Sequence, residues 1–361
     1  MKIITVAGTR PELIRLCIIM DKLDKLVDHK FIYTNQNYDH DLSGQFFAEL
    51  KIRKPDYIFK KSGNSFGSFL SNALVRFEEI LLKEMPDKIL ILGDTNSGLV
   101  SIIADRYKIP VYHMEAGNRC YDQRVPEETN RRLIDHLSKY NLPYTENSKQ
   151  NLLSEGFHKN NVFKTGNPIY EVLKFYASGI NNSNILNRMN LLDQEFVLLT
   201  THRSENVDNI ESLANIIRAM NKISEQFKVI VSLHPRTKDK LKKFNIKVSD
   251  NVVLHKPFGF FDFVKLEKST KCVISDSGTC QEEACIFGVP SITIRETTER
   301  QETIECGSSV LSGTSYEDVI LAFNTLLERN NKWIAPADYL VENVSDIVIN
   351  ILLGVNLCRN M

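Results

Sequence analysis

The feature that most constrains this chain is an alternation. Short runs rich in β-branched residues recur along it, and a longer segment with helical spacing follows each one. "KIITVAG" (2–8), "KFIYTN" (30–35), "KILILG" (88–93), "IPVYHMEAG" (109–117), "LPYTEN" (142–147) and "NVFKTG" (161–166) read as strands. Amphipathic stretches near 11–27, 41–50, 67–84, 97–107, 127–140 and 147–155 lie between them. Nearly continuous apolar strands separated by helices predict parallel sheets covered on both faces. The pattern then restarts with "FVLLTTH" (196–202), "KVIVSLHP" (228–235), "NVVLHKP" (251–257), "KCVISDSG" (271–278) and "VPSITIR" (289–295). The fold class is therefore α/β, with two Rossmann-like domains whose parallel sheets face a central cleft.

A length of 361 residues agrees with two domains. The reading places an N-terminal domain at 1–172 and a C-terminal domain at 188–342, joined by a Ser/Gly/Asn-containing linker over 174–190. The stretch 337–354 reads as a final helix, and a helix over about 343–361 is expected to pack back on the first domain.

Lys plus Arg (45) equals Asp plus Glu (45), so no global field favours nucleic acid or an anionic membrane; an anionic ligand must be held locally. Seven cysteines, at 17, 120, 272, 280, 285, 306 and 358, contain no C-x-x-C pair, which fits buried thiols in a reducing compartment. The first residues enter a strand at once, and no uncharged run is long enough to span a bilayer. The expectation is a cytoplasmic protein.

Open parallel sheets bind ligands beyond the carboxyl ends of their strands, so polar residues just after strands matter most. "GTRPE" (8–12) joins a tight turn, a helix start and Arg10, which makes either a capped helix or an anion site. "SDSGTCQEEA" (275–284) repeats the arrangement: Ser277, Gly278 and Thr279 at a helix start could hold a diphosphate, with Glu283 one turn on for ribose hydroxyls. Ordinary helix-start chemistry is the alternative. His202 in "THR" and His234 in "HPR" end two apolar strands, and Arg300 in "ETTER" adds a candidate phosphate ligand.

The stretch from Gly93 to His136 holds the most chemistry. Asp94 and Glu115 follow strands, and Glu127 opens a helix after Pro126. Carboxylates so placed suit general acid–base work. Glu128 reads as a helix-dipole residue, and His113 and His136 as structural. "DHD" (39–41) reads as capping rather than a metal–diphosphate site. There is no G-x-G-x-x-G, P-loop, G-x-S-x-G or H-E-x-x-H, so no metal or redox cofactor is called for.

Taken together, "GTRPE", "GDTNS", "HMEAGNR", "PEETNRRLIDH", "TGNP", "THRSEN", "HPR", "DSGTCQEE" and "TTERQE" resemble, in order and along nearly the whole chain, the non-hydrolysing UDP-N-acetylglucosamine 2-epimerase family. The resemblance implies a glycosyltransferase-B-like fold, a homodimer and a UDP-N-acetylhexosamine bound in the interdomain cleft. It places Arg10 and Arg15 near the phosphates, Asp94, Glu115 and Glu127 as catalytic carboxylates, and His202 as the catalytic-site histidine. It puts Phe258 and Phe263 around the uracil, Ser277, Gly278, Thr279 and Arg300 on the diphosphate, and Glu283 on the ribose. Asn37 stands where many members have His, which sets allosteric activation by UDP-GlcNAc in question. The implied activity interconverts UDP-GlcNAc and UDP-ManNAc for surface polysaccharide precursors. A UDP-2-acetamido-2,6-dideoxy-L-talose 2-epimerase, whose branch shares "HMEAGNRC" with "DQRVPEE", and a retaining glycosyltransferase of the same fold are the alternatives.

Overall fold

The computed structural model describes residues 1–36, 40–60, 63 and 65–354, with the backbone alone for 40–43. Asn37 and Asp39 of the stretches singled out above therefore lie outside the described residues, as do residues 355–361 of the expected last helix. The chain divides into two compact units, Met1–Lys174 with Asp338–Met361, and Phe175–Ala337.

The first unit holds β1 (Lys2–Ala7), β2 (Asp28–Tyr33), β3 (Tyr57–Ile58), β4 (Lys88–Leu92), β5 (Val111–Met114) and β6 (Tyr140–Leu142). They form one parallel sheet in the order β3-β2-β1-β4-β5-β6. The second unit repeats the plan with β7 (Phe196–Thr200), β8 (Lys228–Ser232), β9 (Val252–His255), β10 (Cys272–Ser275), β11 (Ser291–Thr293) and β12 (Ser309–Leu311). Their order is β12-β11-β10-β7-β8-β9, again all parallel. Both are doubly wound Rossmann-like sheets. In each, the strand order reverses beside the first strand, between β1 and β4 and between β7 and β10. Ligands in such sheets bind at that switch point.

The apolar runs are buried because helices cover both faces of each sheet. Ile3, Leu90 and Tyr112 face one layer of the first unit, and Ile4, Ile89 and Val111 face the other. That alternation is the period-2 pattern of a strand whose two sides both meet helices. The last helix, Val344–Gly354, packs on helix Arg10–Leu26 within the first unit. Val344, Val348 and Leu352 enter the core with Leu16 and Met20, each such burial being worth about 2 kcal/mol before entropy is charged against it. Glu171 caps its start, accepting from the Ser345 amide at 2.7 Å.

Several details differ from the sequence reading. The strand read at 142–147 lies instead at Tyr140–Leu142, and a helix starts at Glu146. Residues 161–166 form no strand; the contact is a single parallel bridge, Asn141 to Val162. The proposed linker is helical, with Ala177–Asn181 and Ile185–Arg188 anchored by buried Ile180 and Ile185. The short edge strands β3 and β12 carry too few residues for any periodicity to show.

Candidate active site

In the first unit, the polar residues gather beyond β1, β4 and β5. Gly8 ends β1 at a close approach: a Cβ there would lie 2.1 Å from both Ser97 Oγ and Thr34 Oγ1, so no side chain fits. Pro11 starts helix Arg10–Leu26, and Glu12 closes its capping box. The Glu12 carboxylate accepts from the Gly8 and Thr9 amides at 2.5 and 2.8 Å and from the Thr95 hydroxyl at 2.6 Å. Burial outweighs these three donors and pushes its carboxyl up to about 7. Arg10 lies over the Phe46 ring, 5.5 Å from its centroid.

Register brings two of the expected carboxylates together. Leu92 pairs with Met114 across β4 and β5, so Asp94 and Glu115 follow neighbouring strand ends. Glu115 adopts a left-handed backbone, φ 66°, a conformation that costs a non-glycine residue on the order of 1 kcal/mol or more. Its amide donates to Leu142 O at 3.2 Å. One carboxylate oxygen takes Arg15 Nη1 at 3.3 Å and the other Asn118 Nδ2 at 3.2 Å, with both charged side chains buried. The same Oε2 would stand 3.5 Å from a Cβ on Gly93, so the Glu115 carboxylate rests against the residue preceding Asp94. Asp94 Oδ2 takes Nε and Nη2 of Arg131 at 3.0 and 2.7 Å. Glu127 is half-buried in the first turn of helix Pro126–Leu137.

Glu128 stands in the first turn of the same helix, where the dipole reading puts it. It is also buried and accepts from Arg131 and Arg132 at 3.1 Å and from the Cys120 amide at 3.1 Å. Burial raises its carboxyl, but the Cys120 amide and Arg131 bring it to a net value below normal. Arg131 thus bridges Glu128 and Asp94.

Sequence reasoning missed the frame behind this cluster. His113 is fully buried, with Nδ1 at 2.8 Å from Asp135 Oδ1 and Nε2 at 2.8 Å from Gly93 O. Asp135 also takes Arg119 Nη2 at 2.8 Å and the Gly117 amide at 3.3 Å. Burial raises the Asp135 carboxyl, yet the His113 hydrogen bond and Arg119 hold it below the usual range. One buried carboxylate therefore holds the turn after β4 through His113, and the turn after β5 directly. His136 is exposed and accepts no role beyond its contact with the Arg132 carbonyl and the Phe157 ring.

The second unit has its own switch-point cluster, organised by Asp276. This buried carboxylate takes the Thr201 hydroxyl at 2.6 Å, the His202 and Arg203 amides at 3.0 Å, and Asn206 Nδ2 at 3.1 Å. Burial raises it, but His202, Thr201 and Arg203 hold it below normal. The turns after β7 and β10 are thereby tied together. His202 is nearly half exposed, its ring 6.0 Å from that of His234. His234 caps helix Pro235–Lys243.

Ser277 precedes helix Gly278–Phe287, whose first amides point at the turn. A Cβ on Gly278 would lie 3.1 Å from Glu299 Oε1 and 3.4 Å from Arg300 Nε, so the turn and Arg300 are close neighbours. Arg300 is buried and pairs with Glu282; Arg203 and Arg295 reach Glu299 at 3.5 and 2.9 Å. Three guanidinium groups thus gather near the turn, of which the sequence reading named one. Thr279 is half-buried and Glu283 buried. Phe258 is buried and stacks on His255 at 4.1 Å, and Phe263 packs against the same core.

Comparison with known proteins gives this geometry a context. The profile described as UDP-N-acetylglucosamine 2-epimerase matches residues 21–353. The UDP-N-acetylglucosamine 2-epimerase of Methanocaldococcus jannaschii is 40% identical over 347 residues, 93% of this chain and 95% of that protein. The enzyme of the same name from Methanococcus maripaludis is 36% identical over 366 residues, 98% of each. A crystal structure of the M. jannaschii UDP-GlcNAc 2-epimerase in complex with UDP-GlcNAc and UDP superposes with a TM-score of 0.93 at 38% identity, covering 98% of this chain and 100% of that one.

Proposed function

This chain belongs to the UDP-N-acetylglucosamine 2-epimerase family, and from that premise we propose that it interconverts UDP-GlcNAc and UDP-ManNAc without hydrolysis. It is an enzyme, an isomerase of glycosyltransferase-B-like fold. The observation that carries the reading is the carboxylate pair at neighbouring strand ends: Glu115, strained and held by Arg15, lies against the residue before Asp94.

The chemistry explains why such groups are needed. The hydrogen at C2 of an N-acetylhexosamine has no adjacent carbonyl, so its removal cannot give an enolate. If the C1–O bond to UDP breaks as the C2–H bond breaks, the electron pair forms a C1=C2 double bond. Re-addition of UDP to C1, with proton delivery to the opposite face of C2, inverts that centre. Asp94, Glu115 and Glu127 are the acid–base set, and His202 supports the diphosphate or the proton transfer.

Arg10, Arg15, Arg300, His234 and the turn Ser277, Gly278, Thr279 stabilise the departing diphosphate. Glu283 accepts the ribose hydroxyls, and Phe258 and Phe263 flank the uracil. The left-handed backbone at Glu115 and the paired guanidinium of Arg15 keep that carboxylate in one orientation, as proton transfer between fixed faces requires.

The proposal extends to a cytoplasmic homodimer that supplies surface polysaccharide precursors. Support for a second copy comes from helix Phe66–Glu84, where Val75 and Leu82 are exposed on one face, with exposed Met85 just after it. Among the described residues, no helix is long and apolar enough to cross a membrane. The direct test is UDP-GlcNAc alone, with products identified by NMR. UDP-ManNAc is expected; free N-acetylmannosamine would mean a hydrolysing enzyme, and turnover only with an added acceptor would mean a glycosyltransferase.

A further inference from the structure

The second unit hides an acid that the proposed reaction does not use. Glu267, on helix Phe260–Ser269, is fully buried, and neither carboxyl oxygen makes a well-aligned hydrogen bond. It sits with the Glu283 carboxyl and the Cys280 thiol, one polar atom of each within 4.8 Å of the others, all three side chains buried. Burial first, and then the Glu283 charge, pushes the Glu267 carboxyl well above the ordinary range; burial does the same to the Cys280 thiol. Two carboxylates this close in a medium of low polarity do not both ionise. As a packing element, the pair is inferior to apolar side chains of the same volume. Its presence directly behind the carboxylate read as the ribose ligand calls for a functional reason.

We infer that Glu267 is the positioning residue for Glu283: as the protonated member of the pair, it aims its proton at the Glu283 carboxylate and fixes that carboxylate as the acceptor for a vicinal diol. The inference rests on the reading of Glu283 as the ribose ligand and deepens it. A charge-assisted O–H···O⁻ contact stabilises a buried anion and restricts its rotation. Glu283 is then pre-set for two hydroxyls, and a nucleotide lacking one leaves a buried acceptor unsatisfied.

The test compares UDP with 2′-deoxy-UDP by calorimetry on the full chain. The parent should prefer UDP by about tenfold or more. Glu267→Met, unbranched and similar in volume, should reduce that preference to about threefold or less while its thermal midpoint holds or rises. Glu267→Gln, whose amide still donates, should restore most of the preference. At about pH 9, where Glu12 has lost its proton, the infrared band of a buried protonated carboxyl should be present in the parent and absent in Glu267→Gln; its absence from the parent overturns the inference. Retention of the full preference in Glu267→Met, where Glu283→Gln loses it, sinks the role of Glu267 alone. If Glu283→Gln also keeps the preference, the ribose reading falls and the inference with it. Zn²⁺ that tightens UDP binding in the parent but not in Glu267→Met would put a cation, not a proton, between the pair, and would also overturn it.

Discussion

Glu12 is the most informative group for the stability of the first unit. It is fully buried, and its carboxyl is raised from an ordinary 4.5 to about 7 because desolvation outweighs three hydrogen-bond donors. Between those two values the folded chain binds a proton that the unfolded chain has released. Stability from this group is therefore fully present below pH 4.5, is lost as the pH rises through 7, and is flat above. At about 1.4 kcal/mol per pH unit, the loss sums to roughly 3 kcal/mol. Glu12→Gln should abolish it. The amide carbonyl still accepts from Gly8 and Thr9, and the Thr95 hydroxyl turns to accept from the amide nitrogen.

The one tryptophan, Trp333, lies in the second unit, so its fluorescence does not report on Glu12. Hydrogen exchange of β1 and β4 peptides, corrected for intrinsic rates, gives the local opening free energy instead. From pH 5 to 8 the variant should gain about 2.5 kcal/mol relative to the parent. Groups held below normal, such as Asp135 and Asp276, contribute the opposite slope in both proteins and cancel in the difference. A difference constant with pH would refute the reasoning.

Other changes address the two clusters. Asp94→Asn and Glu115→Gln should each lower kcat by about 10²- to 10⁴-fold, with UDP affinity by calorimetry within a few-fold of the parent; unaltered turnover in both contradicts their assignment. Asp135→Asn leaves Arg119 and His113 without their shared buried anion and should cost about 3–5 kcal/mol in opening free energy of the first unit; a loss under about 1 kcal/mol would show the network to be dispensable. Arg300→Lys removes a planar fork beside the Gly278 turn and should weaken UDP binding about tenfold while uridine binding holds. Equal losses for UDP and uridine would place Arg300 away from the diphosphate.

How much of this was legible in the sequence follows from what each residue must do. The central strands were readable because both faces are buried, which leaves unbroken apolar runs. The edge strands β3 and β12 were not, since two or three residues show no period. Asp94, Glu115 and the Ser277 turn stood out because strand-end polar residues interrupt those runs. Asp135, Asp276, Glu128 and Glu267 did not, because a helical or post-strand acid looks the same in sequence whether it meets water or a buried arginine. Only the three-dimensional register reveals that Asp135 reaches two turns at once, or that Glu267 lies behind Glu283.

The most direct measurement of the central claim is isotope incorporation. The enzyme is incubated with UDP-GlcNAc in D₂O, and the recovered UDP-sugars are read by NMR. If UDP leaves as the C2 proton is taken, deuterium must appear at C2 of both UDP-ManNAc and recovered UDP-GlcNAc, and at no other ring carbon. Epimerised product that keeps its original C2 hydrogen would contradict the account.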